Sequence, residues 1–195
     1  MEALRRQLLA MAARDLQTRE RLAVDGSLFE GYHPEMQGVH EDNAAALAKI
    51  IDNHGWPTEA LVGTDGAEAA WLIAQHAIAL PDFCRRCLAE LQSAAEAGAV
   101  PLWQPAYLED RIRIFEGRPQ RYGISFDWDE HGQMSPNPIE EPGSVDQRRA
   151  AVGLGPLAAA IERHRRDSAS QPRPDDLAKR RQEMNAWARR VGWRS

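Results

Sequence analysis

The chain has 195 residues, 43% of them hydrophobic, so it can bury one sizeable core but hardly a second full-sized domain. Its apolar stretches are too short for a membrane-spanning helix, and its first residues lack the apolar run of a signal peptide, so we expect a cytoplasmic protein. Two cysteines, Cys84 and Cys87, are too few for a disulfide scaffold.

The net charge of −5 is unevenly distributed along the chain. Residues from Arg163 onward carry +6, and the first 162 residues carry −11. A basic tail on an acidic body can bind nucleic acid or an acidic protein, or it can fold back on its own body. No fold-level motif supports nucleic-acid binding, so folding back is favoured and a protein partner for the tail remains open.

Four helices are predicted in the first half of the chain from apolar residues at helical spacing. Gly26 to Gly38 is predicted as a loop before the second helix, and Gly55-Trp56-Pro57 ends that helix. Val62 to Gly66 is predicted as a turn before the third helix. The predicted helices cover residues 2–23, 41–53, 64–80 and 81–97.

The second half begins with a change of period after Pro105. Arg111 to Phe115 and Tyr122 to Trp128 alternate apolar and polar residues around a Gly-Pro turn, which predicts a β-hairpin over residues 112–128. A short third strand fits near residues 133–135. Helices then follow to Asp167, and the fold class is mainly α. The predicted organisation is a single helical domain at 1–167, a linker at 168–175 and a basic C-terminal helix within 176–195.

A histidine interrupts the apolar stripe of the third helix. His76 shares a face with Leu72 and Ile73, and burying an imidazole there is costly unless its ring nitrogens find partners. Asp15 and Arg19 lie on the stripe of the first helix, and Asn43 on that of the second. The sequence therefore places polar groups in the core-facing stripes of three helices.

Two interpretations of these polar groups stay open. In one they line a pocket, where His76 acts as general acid or base, Asp15 orients it and Arg19 holds an anion. In the other they form a satisfied network inside the core, with Asn43 capping a helix end and each polar atom paired locally.

Neither a metal nor a cofactor is predicted from the sequence. Cys84-x-x-Cys87 has no second cysteine pair, and its spacing fits two buried apolar cysteines on one helix face. A metal site could form from His40, Glu41, Asp42 and His54, but the acidic residues favour a helix N-terminus and a cationic histidine favours a C-terminus, which explains them as well.

Short motifs along the chain resemble a bacterial family of about this length that is known only as a domain of unknown function. No motif is specific alone, but their order and spacing match over about residues 8–157. The matching residues are Asp15 and Arg19; Asp42-Asn43; Gly55-Trp56-Pro57; Val62-Gly63; Gln75-His76-Ala77; Tyr107-Leu108 and Asp110-Arg111; Gln120, Tyr122 and Gly123; Val145-Asp146, Arg148-Arg149 and Gly153-Leu154.

The resemblance implies a mostly helical domain and no established reaction. It implies that further residues join the polar group of His76, with Asp110 as a second candidate catalytic carboxylate. The substrate-binding candidates that it adds are Gln75, Arg111, Gln120 and Tyr122. This chain departs from the family pattern at Leu16, Ile78 and Ile124-Ser125, where polar character is reduced, so its ligand differs or its pocket has become structural.

We expect an enzyme that acts on a small polar or anionic substrate by hydrolase-like or transferase-like acid–base chemistry. No nucleophile other than water or Tyr122 is evident, so covalent catalysis is not expected. The alternative is a non-catalytic binding or protein-interaction module with a degenerate polar pocket, in which the C-terminal helix docks a partner protein.

Overall fold

The computed structural model of the chain describes residues 1–29, 31–170, 173 and 175–195. The chain folds into two compact units, Met1–Val100 and Pro101–Ser195. The helices of the first unit are α1 (Glu2–Val24), α2 (Pro34–His54), α3 (Glu59–His76) and α4 (Pro81–Glu96), with a 3₁₀ turn at Ser27–Phe29. The second unit contains α5 (Trp103–Phe115), β1 (Phe126–Trp128), β2 (Met134–Pro136), a 3₁₀ turn at Pro142–Ser144, α6 (Val145–Ala151), α7 (Leu157–Asp167) and α8 (Leu177–Arg190). The predicted class, mainly α with a small antiparallel hairpin, is confirmed.

The first unit is a bundle in which α1 packs on α2 and α3, and α4 packs on α3. Its centre is apolar, with Leu8, Leu47, Ile73 and Leu91 fully or almost fully buried. Burial of such side chains is worth about 1.5–3 kcal/mol each, which sets the orientation of each helix. The stripe of α1 nevertheless carries the fully buried Asp15 between Ala12 and Leu22 along the chain.

Helix α2 begins at Pro34, seven residues before the start that the sequence predicts. Proline fits the first helical position because its missing N–H has no partner there, and the ring nitrogen of His33 accepts from the Glu35 amide as an N-cap. The exposed Gly38 is tolerated within the helix. The predicted loop at 26–38 is therefore wrong beyond residue 33, and His40 lies in the second turn of a helix.

Helix α5 occupies the segment predicted as the first hairpin strand, so the hairpin predicted at 112–128 is wrong. Over five residues an alternating pattern also fits a helix face, because Leu108, Ile112 and Phe115 stand at i, i+4 and i+7. Leu108 and Ile112 are buried as that helical spacing requires.

The observed hairpin pairs β1 with β2, and Asp127 lies opposite Ser135. The third strand considered near 133–135 is thus the second strand of the only two-stranded sheet in the described residues. Asp129 organises the turn, because its carboxylate accepts from the amides of His131 and Gln133 and from the Ser135 hydroxyl. These bonds close the hairpin.

The basic C-terminal helix forms close to its predicted bounds, with Asp176 as N-cap on the Lys179 amide. It packs within the second unit, where Phe115 meets the rings of Trp187 and Trp193. The boundary at 167 and the linker at 168–175 stay predictions, since residues 171, 172 and 174 lie outside the described part of the chain.

No helix among the described residues combines the length and the apolar character needed to cross a membrane.

Candidate functional site

A carboxylate lies at the centre of the first unit. Asp15 follows Leu8 and Ala12 at helical spacing, so the fold of α1 turns its side chain inward and leaves it with no exposed surface. A buried carboxylate is costly unless it is paired and hydrogen-bonded. Asp15 is therefore the residue whose partners define the site.

His76 is the first partner of Asp15, and it is the last residue of α3. Its Nδ1 lies 2.9 Å from Oδ2 and 3.0 Å from Oδ1 of Asp15. Nδ1–H donates to the carboxylate, which leaves Nε2 as the basic nitrogen of the ring. The His76 side chain is 23% exposed, and its Nε2 makes no hydrogen bond with the described residues. The helix end thus presents an oriented imidazole to solvent.

His40 is the second partner of Asp15, and it comes from α2. Its Nε2 lies 3.3 Å from Oδ2 of Asp15, but the alignment leaves Nε2 without a directed hydrogen bond among the described residues. The His40 ring stands 5.2 Å from the ring of His76, centroid to centroid. On its other side, Nδ1 of His40 is hydrogen-bonded to the Tyr32 hydroxyl at 2.6 Å. Three elements therefore converge on one carboxylate.

The charge state of Asp15 follows from this geometry. Burial raises the pKa of the carboxyl, but the close approach and charge of His40 and His76 outweigh burial and hold the pKa well below its usual range. Burial raises the pKa of Tyr32, so its hydroxyl stays protonated. The cluster of Asp15, His40, His76 and Tyr32, here called the Asp–His cluster, accordingly contains one carboxylate anion under two imidazoles.

The other predicted residues of the first unit have different surroundings. Asn43 is buried and donates to the Met11 carbonyl at 3.1 Å, so it ties α2 to α1. Gln75 is buried beside His76 in the sequence. Arg19 is exposed one helical turn after Asp15, and its guanidinium makes no hydrogen bond or ion pair with the described residues. Arg19 is thus able to bind an anion from solvent.

Asp110, Arg111, Gln120 and Tyr122 belong to the second unit, whereas Asp15, Asn43 and His76 belong to the first. The fully buried carboxylate of Asp110 accepts the backbone N–H groups of Arg121, Tyr122 and Ile124. Burial raises the pKa of Asp110, and these three bonds oppose that rise. Its hydrogen bonds among the described residues all go to backbone, and its catalytic role stays a prediction.

Gln120 completes the same loop. Its Oε1 accepts from the amides of Ile124 and Ser125, and its Nε2 donates to the carbonyls of Ser125 and Asn137. The half-buried Tyr122 joins this network through its backbone amide, and Arg111 is half-buried on α5. These contacts hold together the loop that follows α5, here called the Asp110 loop. The side-chain oxygen and nitrogen of Gln120 are each used twice in hydrogen bonds to backbone groups.

Two further arginines hold the Asp110 loop from α6. Arg149 donates to the carbonyls of Tyr122 and Gly155 at 2.6 Å each, and Arg148 donates to the Arg121 carbonyl at 2.8 Å. Burial lowers the pKa of Arg149. The paired arginines that carry part of the family resemblance therefore bind backbone oxygens.

The two cysteines are both free and buried, as the sequence predicts. The Cys84 thiol donates to the Ala77 carbonyl at 3.2 Å, and burial raises the pKa of Cys87. Neither thiol has the exposure that a nucleophilic cysteine needs.

Sequence reasoning missed Tyr32, and it considered His40 only as a possible metal ligand with neighbouring residues, not as a partner of Asp15. Met36, His40 and Asn43 are spaced at i, i+4 and i+7. His40 therefore lies on the buried stripe of α2 once the helix begins at Pro34. The signal was the same as for His76, a histidine at an apolar position. It was hidden because Gly38 and Pro34 indicated a loop.

Fold and site together define a mainly helical protein with a buried carboxylate held between two histidines. The chain belongs to the family of unknown function DUF6624, whose model matches residues 2–169. The predicted membership of a family of unknown function is therefore confirmed, and the match ends before α8. Neither the curated proteins nor the solved structures contain a match to this chain.

Proposed function

We propose that the chain is an enzyme in which His76 acts as general base and then as general acid, in hydrolysis or group transfer on a small polar or anionic substrate. The observation that carries this proposal is the 2.9 Å bond from Nδ1 of His76 to a fully buried carboxylate, on a ring that is partly exposed. A carboxylate in this position fixes the ring tautomer and stabilises the imidazolium that forms.

The chemistry needs no protein nucleophile. Nε2 of His76 takes a proton from water, or from an acceptor hydroxyl, while that oxygen bonds to the electrophilic centre of the substrate. The imidazolium then returns the proton to the leaving group as its bond to the centre breaks. Asp15 stays ionised throughout, because its neighbours hold its pKa low. Water is the nucleophile in hydrolysis because both cysteines are buried.

Arg19 supports the preference for an anionic substrate. It lies one turn from Asp15 on α1, is exposed and is not neutralised by an acidic side chain of the described residues. A guanidinium binds carboxylate or phosphate oxygens in pairs, which would position such a substrate beside the imidazole.

The test is a panel of chromogenic probes: p-nitrophenyl acetate, p-nitrophenyl phosphate and bis-p-nitrophenyl phosphate. We expect hydrolysis of at least one probe, with kcat/KM reduced about 100-fold or more in His76→Gln. The matched control is His54→Gln, which changes an exposed histidine of the same unit. Arg19→Ala should raise KM for the phosphate probes and leave the acetate probe unchanged. A wild-type chain that hydrolyses no probe, or hydrolysis that His76→Gln leaves intact, contradicts the proposal.

The C-terminal helix remains a candidate docking element for a protein partner. Its aromatic side pairs with Phe115, while Arg181, Arg189 and Arg190 on the same helix are exposed. Exposed arginines suit an acidic protein surface. This role can be tested by charge reversal of the three arginines, which should weaken capture of an acidic partner and leave hydrolysis of the probes unchanged.

A further inference from the structure

The Asp–His cluster has the composition of a metal site. Two imidazoles and one carboxylate are the protein ligands of catalytic zinc in one common arrangement, and of iron(II) in another. One donor atom from each of Asp15, His40 and His76 lies within 4.8 Å of the other two. The cluster is therefore already gathered to about the size of one coordination sphere.

The distances between the donor atoms of the cluster are also close to those between the ligands of a zinc ion. Ligand atoms about 2.1 Å from a tetrahedral zinc stand roughly 3.4 Å from one another. Nε2 of His40 lies 3.3 Å from Oδ2 of Asp15, and Nδ1 of His76 lies 2.9 Å from the same oxygen. An ion between these atoms requires the two rings to move apart from the carboxylate by a small distance only.

His40 supplies the independent observation. Its side chain is only 9% exposed, and its buried Nε2 has no directed hydrogen bond within the described residues although it faces the Asp15 carboxylate. A buried ring nitrogen in this state is costly unless a ligand uses its lone pair. On the far side of the ring, Nδ1 of His40 is hydrogen-bonded to the Tyr32 hydroxyl at 2.6 Å, which fixes the orientation of the ring. Outer hydrogen bonds of this kind are typical of metal-binding histidines.

We propose that Asp15, His40 and His76 bind one divalent transition-metal ion, with zinc as the preferred ion and Tyr32 as the outer-shell partner of His40. Three protein ligands leave a coordination position open for water, and the partial exposure of His76 gives that position contact with solvent. Binding replaces the proton that Nδ1 of His76 donates to Asp15, and any proton on Nε2 of His40, so metal binding releases protons to solvent. In the metal-bound form a zinc-bound water would take the place of the water that Nε2 of His76 deprotonates.

This inference uses the side chains of the proposed acid–base site, but it can be tested with no substrate at all. The full-length chain is stripped with EDTA, dialysed and titrated with zinc chloride by calorimetry and by competition with a chromogenic chelator. We expect one zinc per chain and a Kd at or below the micromolar range. His40→Gln should weaken binding at least 100-fold, and circular dichroism checks that the variant is folded.

Two matched variants separate this site from others in the same unit. Cys87→Ala removes the only cysteine pair, and His54→Gln removes an exposed histidine; both should bind zinc as the wild type does. Tyr32→Phe keeps all three ligands and should weaken binding about 10- to 100-fold, because outer-shell partners of a ligating histidine contribute that much. Cobalt(II) substituted for zinc should give visible bands of low coordination number without a thiolate charge-transfer band.

The outcomes distinguish the metal site from the proposed function. Absence of stoichiometric zinc in the wild type, or zinc binding that His40→Gln leaves unchanged, overturns the metal site. Hydrolysis by the EDTA-treated chain that depends on His76 supports the acid–base function whatever the zinc result. Zinc binding in a chain that hydrolyses no probe supports the metal site and contradicts the function.

Discussion

Among the described residues, each unit of the molecule contains one fully buried aspartate, and the two are satisfied in opposite ways. Asp15 in the first unit has two imidazoles as neighbours, and Asp110 in the second has three backbone N–H groups. The pKa of Asp15 is lowered by its histidines, whereas that of Asp110 is raised by burial. The two carboxylates are equally buried, so burial alone does not tell a reactive site from a structural one.

The nature of the partners makes the distinction. Backbone amides do not titrate near neutral pH, and through them the Asp110 carboxylate holds the loop at residues 121–124. Imidazoles carry two ring nitrogens: at His76 the nitrogen that faces away from Asp15 is accessible, and at His40 the nitrogen that faces Asp15 is buried without a directed bond among the described residues. A buried carboxylate with titratable partners is thus able to take part in chemistry, and one with backbone partners contributes architecture.

The largest expected effect comes from exchanging each aspartate for asparagine. In Asp110→Asn an amide N–H₂ replaces an oxygen that faces N–H donors, so we expect the free energy of unfolding to fall by about 3 kcal/mol. In Asp15→Asn the amide can donate to Nε2 of His40 and accept from Nδ1 of His76, so the loss should be about 1 kcal/mol. Urea unfolding of both variants at one pH measures the difference.

The order of the two variants should be reversed when zinc binding and hydrolysis are measured instead of stability. Zinc binding and hydrolysis should be lost in Asp15→Asn and retained in the folded fraction of Asp110→Asn. If Asp15→Asn is the less stable variant, or if Asp110→Asn loses zinc while still folded, the contrast between the two carboxylates is wrong.

A smaller effect is expected from a histidine that has no carboxylate partner. His164 of α7 stacks on Phe126 with ring centroids 3.9 Å apart. Burial, aided by the charge of Arg163 and opposed by Asp167, lowers the pKa of His164 below its usual 6.5. The folded state therefore favours the neutral ring, so this contribution is present above about pH 6.5 and is lost as the pH falls through the lowered value.

The measurement is the pH dependence of unfolding in wild type and in His164→Phe, which keeps the stacked ring and removes the titration. Below about pH 6.5 the wild type should lose stability relative to the variant by up to about 1 kcal/mol, a modest amount because the ring is partly exposed. If the difference in the free energy of unfolding does not change with pH, the folded state does not favour the neutral ring of His164, and the prediction is wrong.

The sequence predicts the helical class, the inward position of Asp15 and His76, and the basic final helix, because each depends on a long periodic pattern. It does not predict the hairpin correctly, since the alternation from Arg111 to Phe115 is too short to separate a strand from a helix face. The second partner of Asp15 was missed for a related reason, because one proline before His40 was taken as loop punctuation.

The motif residues of the second unit show a different limit of prediction from sequence. Asp110 and Gln120 are polar residues at buried positions, and a linear pattern has the same form whether such residues bind a ligand or bind the backbone of a nearby loop. Only the hydrogen-bond partners separate the two cases. Those partners are backbone amides and carbonyls, which are the same whatever the residue and so leave no trace in the sequence. His76 could be singled out because a histidine at a helix-core position needs a specific side chain as partner.

The smallest predicted effect tests the element that brings His40 to the cluster. If α2 begins at Pro34, Gly38 is an exposed position in a helix interior, and a Cβ added there meets no atom within 4 Å. Gly38→Ala should then raise the free energy of unfolding by about 0.5 kcal/mol, because alanine loses less backbone entropy in a helix. The control is Gly55→Ala at the end of the same helix, where φ is +72° and alanine should destabilise. Since zinc binding depends on His40 being held in place, Gly38→Ala should bind zinc at least as tightly as the wild type. A destabilised Gly38→Ala chain would mean that residues 34–40 form a loop, and His40 would then have no rigid support beside Asp15.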